Sequence, residues 1–158
     1  MNKLRKGIPS RVSKGSVSVI DRLIILNKAQ RHAVLATDSD GQPYSSLIAY
    51  ALTSDIKGII FATPKSTRKY KNILKNRCVS LLIDTRSNTE KDYMDAESIT
   101  ILGNAYPVRR GKKWSELAEI LKNKHPRLTS FIDSHETALV YIEIIKCIHV
   151  TKFQTISE

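Results

Sequence analysis

Three β-prone runs stand in a row between Ala33 and Thr63, and the connections between them are too short for anything but hairpins. "AVLATD" (33–38) leads into "SDGQP" (39–43), a turn built on Asp40-Gly41, and "YSSLIAYAL" (44–52) returns from it. "TSDIKG" (53–58) makes the next turn and "GIIFAT" (58–63) the third run. Tight connections join antiparallel neighbours, because a parallel partner needs a crossover of roughly a dozen residues. Whatever this chain builds, an antiparallel sheet lies at its centre.

Three further runs extend the pattern: "CVSLLID" (78–84), "ESITILGNAYPV" (97–108) and "ALVYIEIIKCIHVTKF" (138–153). Gly103 inside the fifth run predicts a bulge or a close backbone approach. Helices are inserted between strands. Ser18 caps the first, with Asp21 three residues on, and Ile20, Leu23, Ile24 and Leu26 recur at helical spacing. Residues 66–76 form the second, with Tyr70, Ile73 and Leu74 on one face. Residues 112–124 form the third, turning Trp114, Leu117, Ala118 and Leu121 to the core. "HPRLTSFI" (125–132) adds a short helical turn. The polar stretch 85–96 is a loop long enough to border a site. Strands do not alternate with helices, and neither GxGxxG nor a P-loop occurs, which argues against a doubly wound sheet. The expected fold is α+β: a six-stranded antiparallel β-barrel with peripheral helices. A length of 158 residues favours one domain over 18–158, after a basic arm at 1–17 that carries Lys3, Arg5, Lys6, Arg11 and Lys14 without an acid.

No apolar run approaches a membrane span and the N-terminus has no secretory apolar segment, so the expected location is cytoplasmic, with no membrane partner. Cys78 and Cys147 form no CxxC pair and lie in apolar runs, as buried free thiols do. The four histidines show no metal-ligand spacing, and no metal is expected. His125 alone is singled out for a substrate role, because it sits in a loop. The net charge of +11 suits an anionic partner. Aromatic residues are only 6% and are not interleaved with the basic clusters, so nucleic acid is not the expected one.

The stretch "FATPKSTRKYKNI" (61–73) sharpens the question of the anion. A helix starting near Ser66 or Thr67 would hold Arg68 and Lys69 in its first turn, where the helix dipole disfavours cations. An anion between them reverses the sign of that argument. First-turn N–H groups can donate to phosphate, Arg68 adds a planar fork, Lys69 an ammonium, and Thr63 and Thr67 hydroxyls. Taken alone, the stretch reads slightly better as a solvated basic face, since Lys71, Lys75 and Arg77 continue the charge.

Its surroundings add to it. "DSDGQPYSSLIAY", "GIIFATPKSTRKYKNILKNRCVSLLID" and "SITILGNAYPV" together resemble the pyridoxamine 5′-phosphate oxidase-like FMN-binding split-barrel superfamily, over roughly residues 20–153. The resemblance implies a split barrel that forms a homodimer with FMN at the subunit interface. It implies that Thr63, Thr67, Arg68 and Lys69 hold the flavin phosphate, and that Ser46, Leu47, Ile48 and Ala49, with Tyr50 beside them, lay their backbone along the ring. Ser98 stands where the oxidase proper has a glutamine that reaches the cofactor. Ser46 and Ala51 replace the arginine and lysine that the oxidase carries on this strand, and its C-terminal Trp and Arg-x-His signature is absent. The resemblance therefore implies a general FMN-dependent oxidoreductase acting on a small molecule, not pyridoxamine phosphate oxidation. Deazaflavin and haem are the alternative cofactors, and a non-catalytic flavin or haem-related binding module the alternative function, with a basic nucleic-acid-binding domain, read from the charge alone, ranked after it. The haem-degrading branch shares the flavour of "PYSSLIAYAL", but its haem-ligating histidine usually comes with a further domain.

Overall fold

The computed structural model describes residues 18–151 and 155–157. The expected arm at 1–17 lies outside them. Helix α1 (Val19–Ala29) is capped as its sequence predicts: Ser18 Oγ accepts the Asp21 N–H at 3.1 Å and donates to the Asp21 carboxylate at 2.7 Å. Leu23 and Leu26 are buried, while Ile20, grouped with them by spacing, faces solvent.

Strand β1 (His32–Ser39) pairs along its full length with Gln42 to Ala49 of β2 (Gln42–Leu52) around Asp40-Gly41. Both turn residues have positive φ, 58° and 78°, which is what a two-residue hairpin turn requires. Then follow β3 (Gly58–Pro64), α2 (Arg68–Lys75), β4 (Cys78–Asp84), a single-turn α3 (Asp92–Asp95) within the polar loop, and β5 (Glu97–Pro107). Helix α4 (Lys112–Lys124), a 3-10 turn (Pro126–Leu128) and α5 (Thr129–Asp133) precede the long β6 (Thr137–Thr151). A short β7 (Thr155–Ser157), not anticipated from the sequence, folds back onto β6.

The sheet runs β3-β2-β1-β4-β5-β6, and β6 pairs again with β3, so six antiparallel strands close into a barrel. Closure depends on the length of β6. Its first half bonds β3 while its second half continues along β5. The β5–β6 register shifts at Leu102/Gly103, where a Cβ on Gly103 would lie 2.4 Å from the Glu143 carbonyl oxygen. Only glycine permits that approach.

Leu35, Tyr50, Phe61, Leu81, Ile83, Ile99, Ile101, Val140 and Ile142 fill the barrel. A second apolar layer lies outside it, where Trp114, Leu117, Ala118 and Leu121 of α4 cover Ala51, Ile60 and Leu139. Helix α2 packs on β1 with Ile73 and Asn72 buried; Asn72 Nδ2 donates to Thr37 Oγ1 at 3.0 Å. Leu74, expected on that buried face, points to solvent instead. The Thr37 hydroxyl inside the barrel needs a polar partner, so the amide takes the inward position. Cys78 is likewise exposed rather than buried, because it is the first residue of β4; Cys147 is half-buried. Among the described residues, no helix is long and apolar enough to cross a membrane.

Candidate functional site

Strands β2 and β3 pair at only three positions: Tyr50 with Phe61, Ala51 with Ile60 and Leu52 with Ile59. Beyond Tyr50 they part. The remainder of β2 stays with β1, and the end of β3 stays with β6. The edge left open can be identified from its neighbours. Leu52 N–H is taken by Asn27 Oδ1 at 3.0 Å and the Tyr50 carbonyl by His125 Nε2 at 2.8 Å, both on the β1 side. Thr53 N–H bonds Gly58 on the β3 side. Backbone groups alternate along a strand, so those of Ala49, Leu47 and Ser45 turn toward the slot where pairing has run out.

The start of α2 forms the other wall. Thr67 is its N-cap: its Oγ1 donates to the Pro64 carbonyl at 2.9 Å and accepts the Tyr70 N–H at 3.4 Å. With that proton committed, the Thr63 hydroxyl donates to Thr67 Oγ1 at 2.9 Å. Thr63 is buried and stands behind the cap, setting it in place. The cap uses the third N–H of the helix and leaves those of Arg68 and Lys69, which have no helical acceptor.

Arg68 reaches toward β2, and its guanidinium lies 5.1 Å from the centroid of the Tyr44 ring. Lys69 is half-buried, and desolvation pulls its pKa below the ordinary lysine value. No acidic residue lies in the first turn. Ser46 shares the face of β2 that carries Tyr44, and its Oγ is buried without a hydrogen-bond partner. An orphaned hydroxyl, two N–H groups without a helical acceptor and a partly desolvated ammonium cost stability until an anion with acceptor oxygens joins them. The residues present therefore fit a phosphate-bearing ligand.

Not every expected residue joins this group. Ser46, Leu47, Ile48 and Ala49 lie on one wall and Thr63, Thr67, Arg68 and Lys69 on the other. Ile48 turns inward and is buried; Leu47, 66% exposed, turns outward. Ser98 is on β5 between Asp84 and Val150, with β4 and β1 separating it from β2, so one protomer does not bring it to the slot. Tyr50 is fully buried, with Lys124 Nζ 3.8 Å from its ring centroid and its hydroxyl donating to the Leu26 carbonyl at 3.5 Å. It belongs to the core and not to the slot. His125 is also buried. Desolvation and nearby cations lower its pKa, and the neutral ring donates to the Tyr50 carbonyl, which is a structural task. Tyr44 was not legible as a site residue: nothing in its spacing announces a partner 24 positions away.

The outer faces of β1, β4 and β5 carry no helix among the described residues, unlike those of β2 and β3. Leu47, Val34, Leu82, Thr100 and Ile148 stand level across that face by register.

A family profile described as "Pyridoxamine 5'-phosphate oxidase" matches residues 25–145. No curated protein matches the chain in sequence. Solved structures share its fold at low identity, among them the following three. A heme-binding protein from Mycobacterium smegmatis is 14% identical, with TM-score 0.79, over 91% of this chain and 58% of the other. The chain thus spans somewhat over half the length of that relative. HutZ, the heme storage protein from Vibrio cholerae, is 14% identical, with TM-score 0.72, over 88% and 98%. A FAD-binding protein from Mesorhizobium loti is 16% identical, with TM-score 0.65, over 81% and 91%.

Proposed function

The chain belongs to the pyridoxamine 5′-phosphate oxidase family, and on that premise we propose that it is an FMN-binding flavoprotein, an oxidoreductase acting on a small molecule as a cytoplasmic homodimer. The observation that carries the proposal is the slot itself: an unpaired strand edge facing a helix N-terminus with two cations and no acid. When bound, the flavin supplies the hydride and electron chemistry. The chain supplies position and charge. Arg68, Lys69 and the two open N–H groups would neutralise the phosphate, Thr67 and Thr63 would hold that turn rigid, and Ser46 Oγ would gain the partner it lacks. The free backbone groups of Ser45, Leu47 and Ala49 would meet the polar rim of the ring, as an added strand would.

The uncovered row through Leu47, Val34, Leu82 and Ile148 supports the dimer. It is aliphatic apart from Thr100, continuous across strands and adjacent to the slot. A second copy seated there could bring its own Ser98 toward the cofactor. Two of the four histidines are already engaged: His125 serves the Tyr50 carbonyl, and His149 Nε2 lies 2.8 Å from Glu97, which also holds Arg22.

The deciding experiment is the visible spectrum and cofactor mass of the purified protein. A yellow protein that releases FMN on denaturation supports the proposal, and oxidation of NAD(P)H by it supports an enzyme. A colourless protein that gains no flavin on incubation with FMN, or a haem absorption band, would overturn it.

A further inference from the structure

A second concentration of positive charge lies between the start of α2 and the end of β5, and the proposed flavin site uses none of its residues. It is a cleft of about 550 Å³ with Lys65, Arg77, Arg109 and Arg110 in its wall and no acidic residue among those lining it. Its floor is the start of β6, Thr137 to Leu139. Four like charges around one cavity repel one another, so the arrangement is costly until an anion enters.

The cations are held rather than left to wander. Arg110 stacks on Trp114 with 3.9 Å to the ring centroid, and its Nη2 donates to the carbonyls of Asp133 and Ser134 at 3.0 and 2.9 Å. Arg77 lies 4.7 Å over Tyr106. Neither is paired with a carboxylate among the described residues. The side chains of Lys65 and Arg109 are exposed, and no described residue bonds them. Stacking and backbone carbonyls fix each guanidinium plane: Arg77 spends Nη1 on the Ala105 carbonyl and Arg110 spends Nη2, and the other N–H groups of each fork remain to meet a phosphate or carboxylate.

We propose that this cleft binds a small organic polyanion, a molecule carrying two or more phosphate or carboxylate groups, independently of the flavin. The size of the cavity matches a ligand of nucleotide scale rather than a polymer groove. Trp114 is buried and one face of Tyr106 is taken by Arg77, so the cleft lacks the run of open aromatic faces on which successive bases of a nucleic acid strand stack.

Calorimetric titration of the full chain, with and without FMN, tests this using inorganic pyrophosphate and citrate as probes. These two arms separate phosphate from carboxylate preference. Saturable binding of at least one is expected. The Lys65→Gln/Arg109→Gln variant, which removes two exposed side chains, should weaken it about tenfold or more. Arg68→Ala/Lys69→Ala should leave it unchanged while losing FMN, so this cleft and the flavin site fail separately. The proposal is overturned if neither probe saturates. It is also overturned if binding follows Arg68 and Lys69 instead, or if only a single-stranded oligonucleotide binds, with steep salt dependence.

Discussion

Arg68 lies over the ring of Tyr44, so the first turn of α2 and the unpaired half of β2 are joined across the slot by one cation–π contact at 5.1 Å. The contact aims the guanidinium into the space between the walls. Each charge-assisted hydrogen bond to a bound phosphate is worth about 1.5–3 kcal/mol. Arg68→Ala with Lys69→Ala should therefore lower FMN affinity by roughly 100-fold or more, with an unchanged far-ultraviolet circular dichroism spectrum. Tyr44→Leu should cost only about 2- to 5-fold, the scale of an exposed cation–π contact. Wild-type affinity in the double variant would remove the phosphate site from α2.

Leu47 exposes an aliphatic side chain in the middle of a strand, where a lone subunit has no use for one. If the proposed homodimer is built on this face, Leu47→Glu should shift sedimentation from dimer to monomer at micromolar concentration, because a buried unpaired carboxylate is expensive at an interface. A dimer that survives this substitution would have to use another face.

Gly103→Ala tests the bulge. The new Cβ would meet a backbone oxygen at 2.4 Å and Ile142 Cγ2 at 2.8 Å, and a paired backbone has little room to yield. A loss of about 1–3 kcal/mol in urea denaturation is expected. A cost near zero would show that the β5–β6 register can slide.

Lys124 gives the pH dependence its sign. Burial, with Arg31 nearby, brings its pKa down to about 8, against about 10.4 in an unfolded chain. Between those values the unfolded chain binds more protons, so folding stability rises with pH across that window. Below pH 8 the ammonium is charged in both states and the contribution is flat. Lys124→Met keeps the apolar stem and should flatten this rise, leaving the smaller share of the half-buried Lys69, when denaturation is compared at pH 7, 8, 9 and 10. The opposite trend belongs to Tyr50, whose buried phenol is held well above its ordinary pKa and so withdraws stability above about pH 10.

Much of the barrel could be read from local chemistry. Asp40-Gly41 fixes the first hairpin because both residues tolerate positive φ, and Trp114, Leu117, Ala118 and Leu121 mark the inner face of α4 without ambiguity. Leu74 and Asn72 show where that reading stops. Their exchange of roles depends on Thr37, a partner 35 positions away, and no period within α2 encodes it. The site divides in the same manner. The Thr67 cap and the cations after it are local, and the sequence displays them. The Arg68–Tyr44 contact and the orphaned Ser46 hydroxyl arise only when two distant segments face each other. Cys78 was misplaced because an apolar run does not reveal where its first residue leaves the sheet.

The half-paired β2 has a consequence for the life of the protein outside any reaction. A row of free N–H and C=O groups on an extended strand is a template on which another chain can crystallise its own strand. Pro43 offers no N–H of its own and blunts only the far end. If a flavin covers the rest, cofactor supply and solubility become one property. A cell short of flavin would then lose this protein to precipitation before it lost the activity to an empty site.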